Sequence, residues 1–336
     1  MLIELIGEEK IISIAGMAKN SGKTVTLNRL LEEAFDSGKK IGLTSIGRDG
    51  ESVDLVTETE KPRIFLERGS VFASSEGFLS LSDASIEILK NTEFRTPMGN
   101  VIIAKVREAG YVQIAGPQLL SEQRLLSEDM LRMGADLVVI DGAIDRVSQA
   151  APTISEGTIL ATGACLSRDI KKVVERTGQT VEALSLKSAK APGIRGLGEE
   201  EREFIVVEDV AGKAEVLPFA SALNSAPEMI RAIDEKTSYL YIPGSLTRYT
   251  LEKLVSSKFI RDITIVVKDG TKLFIEPMFW KKYLRMGLNF RVLDEIKLLA
   301  VTVNPYSPNG YFFDSIEFLD KMRKRVPNIP VMDVML

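Results

Sequence analysis

The sequence predicts an α/β protein built on a mostly parallel, twisted sheet, with helices on its faces and antiparallel hairpins inserted into it. Three observations carry this. Short β-branched or wholly apolar runs alternate along the chain with stretches of helical apolar period. A strand, a glycine-flanked loop and a helix follow one another in "SIAGMAKNSGKTVTLNRL", residues 13–30. Finally, "LVVIDG" is apolar enough to be a central strand buried on both faces.

The elements follow in order. Residues 11–15 are a short β-branched strand, and the helix after the loop sets Leu27, Leu30, Leu31, Ala34 and Phe35 on one face before Gly38 ends it. Residues 40–46 form the next strand, which makes a βαβ unit with parallel strands. Residues 51–100 carry no clear period. "NVIIAKVREAGYVQIAGP" reads as a hairpin about a turn ending at Gly110, an antiparallel edge or flap on the main sheet. A helix over 119–133, capped by Gly134, feeds "ADLVVIDG"; "TILATGA" is a strand and 169–184 a helix. Residues 185–202 are small, charged and turn-forming, as in a linker or mobile loop. "EFIVVED" and "AEVLPF" read as a second hairpin. "SYLYIPG" is a strand followed by a helix near 246–256, and "DITIVVKDG", "KLLAVTVNP" and "IPVMDVML" are three further strands. The organisation expected is a single domain over 1–336 with insertions near 51–117 and 185–235.

Composition narrows the chemistry. Lys and Arg total 43 against 47 for Asp and Glu, without a long basic run, so nucleic acid is not an expected partner. The chain has no histidine and a single cysteine, Cys165, which removes imidazole bases, histidine-ligated metals and an intrachain disulfide. Neither a cleavage-site pattern at the N-terminus nor a stretch of 18 uncharged apolar residues is present, so the expectation is a cytoplasmic protein without a membrane partner.

Chemistry then rests on the loop. A phosphate cradle needs glycines where backbone must approach closely, inward amides, and a helix N-terminus with its positive dipole end. Gly16 and Gly22 suit the first requirement, and the amides of Lys19, Asn20, Ser21, Gly22, Lys23, Thr24 and Val25 suit the second. Lys23 is placed to reach the β- and γ-phosphates, and the Thr24 hydroxyl to sit on Mg²⁺. Asp141, after four apolar residues, is the expected Mg²⁺ carboxylate, direct or through water, with the Gly142 N–H free to approach the γ-phosphate. Asp49, just beyond the second strand in "TSIGRDGE", either orients the attacking water or binds Mg²⁺ through water, with Glu51 as the alternative.

Five residues separate Gly16 from Gly22, where the common phosphate loop has four. With this gap "GMAKNSGKT" resembles the loops of dethiobiotin synthetase and the cobyrinic acid amidating synthetases, of the same P-loop NTPase class as the MinD and ParA ATPases. The resemblance implies an Asp after the second strand, as at Asp49, and an Asn against the base at the end of a late strand, where "AVTVNP" offers Asn304. Asn304 also suits a plain turn before Pro305. The MinD-like signature lysine falls at Ala18; the nearby Lys19 either points at phosphate, its own or a dimer partner's, or is a solvated loop lysine. No Asn-Lys-x-Asp stretch reads guanine, so ATP with Mg²⁺ is the expected ligand. "GMAKNSGKTVTLN", "GLTSIGRDGE", "VIDGAIDR" and "VTVNPYSPNGYFFD" together resemble the ATP-binding subunits of lysine 5,6-aminomutase reactivases. That implies an ATP-hydrolysing chaperone for a cobalamin-dependent mutase, acting with a second subunit.

Two functions follow as expectations. One is an ATPase switch read by a protein partner, with a homodimer as another assembly. The other is an ATP-dependent ligase of dethiobiotin-synthetase type acting on a small carboxylate; the absence of histidine disfavours a glutaminase-linked amidating branch. Cys165 reads as a small buried thiol. Tyr306, Tyr311, Phe312 and Phe313 either stack on a base, anchor a partner or simply pack. The acidic run at 199–203 reads as a solvated turn, and "KPR" at 61–63 as surface charge.

Overall fold

The computed structural model describes residues 1–46, 64–142 and 152–335, and the backbone of 53–54 and 59–60. Its contacts divide the chain into two compact units: Met1–Val173 with Lys297–Leu336, and Val174–Ile296. The sequence leads to the expectation of one domain with insertions; the stretch near 185–235 lies inside the second of these units.

In the first unit, α1 (Leu2–Ile6) precedes β1 (Ile11–Gly16), α2 (Lys23–Asp36) and β2 (Ile41–Ser45). α2 starts where Gly22 takes a φ of +98°, and the chain leaves it at Gly38, φ +71°. Leu27, Leu30 and Ala34 of its expected apolar face are buried, but Phe35 is 54% exposed. The two-residue strands β3 (Val53–Asp54) and β4 (Thr59–Glu60) pair with each other. β5 (Ile64–Leu66), β6 (Val71–Ser75), α3 (Glu76–Leu79), β7 (Ser85–Thr96), β8 (Gly99–Glu108) and β9 (Gly110–Val112) follow. α4 (Leu120–Arg132) is ended by Gly134 at φ +100° and leads into β10 (Leu137–Asp141), and β11 (Gly157–Gly163) comes next.

α5 (Ile170–Leu184) leads into the second unit, which holds α6 (Pro192–Gly196), β12 (Val206–Asp209), β13 (Ala214–Val216), α7 (Ala226–Ala232) and β14 (Thr237–Ile242). β15 (Leu246–Thr247), α8 (Arg248–Leu254), β16 (Thr264–Val267), β17 (Leu273–Phe274), α9 (Pro277–Arg285) and β18 (Asn289–Val292) complete it. The chain then returns to the first unit with β19 (Leu298–Asn304), α10 (Ser315–Arg325) and β20 (Val331–Asp333).

The first unit's sheet runs β20-β19-β11-β1-β10-β2-β6-β8-β7. The strands from β20 to β6 are parallel, and β8 and β7 close the β6 edge as an antiparallel hairpin. β1 and β2 are parallel as expected, but β10 lies between them and pairs with both. Strand alternation sorts the core onto two faces: Leu137 and Val139 pack with Leu27 and Leu30, while Val138 and Ile140 pack with Leu126 and Met130. Each such fully buried side chain contributes about 1.5–3 kcal/mol.

The hairpin expected about Gly110 is corrected. The turn lies between β7 and β8, where Gly99 has a φ of +99°, and β9 leaves to pair with β5. Gly110 is instead a point of close approach, where an added Cβ would lie 2.8 Å from the Ala84 backbone.

In the second unit the order is β13-β12-β14-β16-β18, with β14, β16 and β18 parallel and β12 antiparallel to both neighbours, so the second expected hairpin is present. The stretch expected as a linker is packed: Ala189, Ala191 and Ile194 are buried against Tyr241 and Val266, and the Ile194 amide donates to buried Glu208 at 2.8 Å. Small side chains let this backbone approach the sheet closely.

Candidate functional site

Because seven strands are parallel, their C-terminal ends share one edge of the first unit's sheet, the edge where open α/β sheets hold ligands. The chain leaves β1 at Gly16 on this edge and turns through 17–22 into α2. The Met17 amide donates to the Ala161 carbonyl of β11 at 2.9 Å, and the Ser21 amide to Ala18 at 3.3 Å. Asn20 (φ +63°) and Gly22 (φ +98°) both take left-handed backbone, so the last turn brings the chain onto the helix axis. The first-turn amides of α2 have no intrahelical acceptor and point out of its N-terminus.

Both glycines are required by space. A Cβ at Gly16 would lie 2.7 Å from Lys23 Cδ and 2.7 Å from Ser21 Oγ, so the lysine runs beneath the loop. A Cβ at Gly22 would lie 2.8 Å from Asn304 Cβ, so the end of β19 is packed against the loop's last turn. Lys23 is only 9% exposed, and its Nζ donates to the Gly142 carbonyl at 3.0 Å. Gly142 directly follows Asp141, which sits opposite Ile14 of β1 and Ser45 of β2 in the ladder. The sequence leads to an expected role for the Gly142 N–H; the group that meets Lys23 is the Gly142 carbonyl.

The structure therefore brings together Gly16, Ser21, Gly22, Lys23, the Asp141–Gly142 end of β10, and Asn304. Asn20 and Thr24 are exposed at the rim, and Lys19, Val25 and Asp141 are half-buried. Ser21 Oγ is buried with no hydrogen-bond partner among the described residues. Asp49, Glu51 and residues 61–63 lie outside the described residues. Among the described residues no three Asp, Glu or Cys side chains gather as a metal-ligand set. A Mg²⁺ ion that keeps waters and phosphate oxygens needs only one or two protein ligands, and Thr24 and Asp141 are of the right donor type.

Asn304 Oδ1 accepts from the Tyr306 amide at 3.0 Å, which is the turn-forming use of the residue, while its Cβ packs on Gly22. Three further positions, Thr26, Thr302 and Gly163, have no signal in the sequence. Thr26 Oγ1 and Thr302 Oγ1 lie 2.8 Å apart and tie α2 to β19. A Cβ at Gly163 would lie 2.7 Å from the Asn304 carbonyl oxygen, so β11 can approach β19 and the loop only without a side chain there. Cys165, expected buried, is half-buried just beyond β11. The acidic stretch 199–203 is mostly exposed, as expected, with Glu203 paired to Lys268 at 3.0 Å.

Among the described residues no helix is long and apolar enough to cross a membrane. Comparison with known protein families, curated proteins and solved structures finds no match to this chain.

Proposed function

We propose that the chain is a P-loop ATPase that binds ATP with Mg²⁺ at residues 16–24 and hydrolyses it slowly as a switch read by a protein partner. One observation carries this reading: Lys23 runs beneath Gly16 between adjacent parallel strands, with its Nζ 3.0 Å from the carbonyl of Gly142, next to Asp141. The first-turn amides at the α2 N-terminus suit phosphate oxygens, Lys23 suits the β/γ end, and Thr24 and Asp141 suit the metal. Mg²⁺ supplies charge neutralisation of the phosphates when bound. The motifs shared with aminomutase reactivases support a narrower reading of the same switch, a reactivating chaperone for a cobalamin-dependent mutase.

A second reading, a ligase acting on a small carboxylate, is favoured by buried polar atoms of Ser45, Ser75, Gln113 and Gln123 that lack a hydrogen-bond partner among the described residues, near the β2 and β6 ends of the same edge. ATP turnover by the purified chain, with Lys23→Ala as control, tests both readings. Slow turnover raised by a protein partner supports the switch, and turnover that requires an added carboxylate supports the ligase. Absence of ATP binding by calorimetry refutes both.

A further inference from the structure

The loop has a direction. Lys23 Nζ lies at Gly142, on the β10 side of β1, whereas β11 and β19 lie on the other side. On the reading above, a triphosphate whose terminal groups meet Lys23 extends its base toward β11 and β19. There the chain leaving Asn304 forms a loop fixed from below. Tyr311 Oη donates to the Ala164 carbonyl at 2.7 Å, the Arg168 guanidinium lies 5.2 Å from the Tyr311 ring centre, and Phe313 packs edge-on against Phe318 at 5.3 Å. Tyr306 and Phe312 instead face outward, 50% and 71% exposed, paired across the loop with ring centres 6.2 Å apart. An exposed aromatic pair on an anchored loop, two residues from a side chain that touches Gly22, is not accounted for by packing.

We propose that Tyr306 and Phe312 are the base ledge of this site, holding a purine by stacking rather than by reading its exocyclic group, so that ATP and GTP bind alike. This rests on the phosphate-loop reading. Distinguishing the N6 amine from the O6 carbonyl takes an acceptor for one and a donor for the other. Asn304 Oδ1 accepts from the Tyr306 amide and its nitrogen lies 3.5 Å from the Cβ position of Gly22, which holds the carboxamide beside the phosphate loop, with the nitrogen as a donor, rather than along the ledge. Both purines offer N7 to such a donor. Stacking is tolerant of base identity because every base has a π-face, and the larger purines gain more from it than pyrimidines.

Calorimetry of the full chain with Mg²⁺ and, in turn, ATP, GTP, CTP and inorganic tripolyphosphate tests this. Expected are ATP and GTP affinities within about three-fold of each other and CTP weaker. Phe312→Ala is expected to weaken both purines about ten-fold and leave tripolyphosphate unchanged, with Phe312→Trp restoring them. ATP favoured over GTP by more than about thirty-fold, the discrimination of a good paired hydrogen-bond contact, overturns the proposal and leaves the phosphate loop standing. Equal purine affinity in wild type and Phe312→Ala overturns it in the same way. Failure of tripolyphosphate and every nucleotide to bind overturns the phosphate-loop reading and this one together.

Discussion

Gly22→Ala is the sharpest perturbation of the loop, because a second glycine supplies its control. Gly22 and Gly38 bracket α2, both in left-handed backbone, at φ +98° and +71°. An alanine at either position carries the conformational cost, about 1–2 kcal/mol. At Gly38 nothing lies within 4 Å of the added Cβ, so that cost stands alone. At Gly22 the Cβ would lie 2.8 Å from Asn304 Cβ, itself held by its turn with Tyr306, and overpacking adds about 1–3 kcal/mol. Gly22→Ala is therefore expected to cost about 2 kcal/mol more than Gly38→Ala. For a unit of this size that is about 4–8 °C more in melting temperature. Far-UV circular dichroism is the suitable probe, since the single tryptophan, Trp280, belongs to the second unit and reports on it. Calorimetry with ATP should find binding kept in Gly38→Ala and lost in Gly22→Ala. Equal melting of the two variants, with normal ATP binding by Gly22→Ala, would refute the close packing of Asn304 on the loop.

Other expectations are simpler. Lys23→Ala should lower ATP turnover at least about 100-fold with an unchanged circular dichroism spectrum, by analogy with loss of a principal charge-stabilising group; turnover within a few-fold of wild type contradicts Lys23 as the phosphate lysine. Glu33, 5% exposed, accepts from the Ile3 amide at 3.0 Å and from Arg29 Nε at 2.9 Å. Glu33→Ala should cost about 2–3 kcal/mol in urea unfolding by leaving that amide unpaired, and Glu33→Gln clearly less, since an acceptor oxygen remains. Burial pushes the Asp129 carboxyl up, but hydrogen bonds from Lys90 and Arg132 outweigh it and hold the group below its ordinary 3.8. A lowered folded value means that stability is present above pH 3.8 and lost as pH falls through the folded value. Asp129→Asn should thus cost about 1 kcal/mol or less at pH 7, and the difference should close as pH falls below about 4. A gap in urea midpoint that persists at pH 2.5 contradicts the ion pairs.

What was legible in the sequence was local. Gly16–Thr24, the start of α2 and the run of β10 are constrained within a few residues, by backbone geometry in the first case and by unbroken apolar burial in the last. β7 was not legible because its pairing with β8 shifts register three times, which breaks the alternation that marks a strand, and because most of its residues are half-buried or exposed. The insertion of β10 between β1 and β2 depends on contacts nearly a hundred residues apart, which no local pattern encodes. The division into two units leaves no trace either. One boundary falls inside α5, between Val173 and Val174, and the other just before β19, so neither carries the proline or glycine that marks a linker. At the candidate site, spacing in the sequence singles out Lys23 and Asp141, and the fold brings Lys23 to Gly142 beside Asp141, whereas Thr26, Thr302 and Gly163 act through contacts between elements that only the folded chain brings together.

The distribution of buried unpaired polar atoms among the described residues bears on the reading proposed for the first unit. A buried polar atom without a partner costs about 1–3 kcal/mol, so folded proteins hold few of them. In the first unit Ser21 follows β1, and Ser45, Ser75 and Asp333 end β2, β6 and β20; each has such an atom. Gln123, on the first turn of α4, reaches Thr44 of β2 through its nitrogen and leaves its oxygen unpaired. Gly116 presses on the same place, where a Cβ would lie 1.9 Å from the Ser45 carbonyl oxygen and 2.9 Å from that Gln123 oxygen. By contrast, Ser13 in the middle of β1 is fully paired, with Ser155 and Thr158. Apart from Ser82 Oγ, the unpaired side-chain groups among the described residues of the first unit thus concentrate at the C-terminal edge of the parallel strands. A fold tolerates a concentrated cost of this kind where function requires it. Lys23 and Asp141 end on the same edge; on the reading proposed above, its β2–β6 end is where a phosphoryl acceptor or a partner's loop would complete the hydrogen bonds.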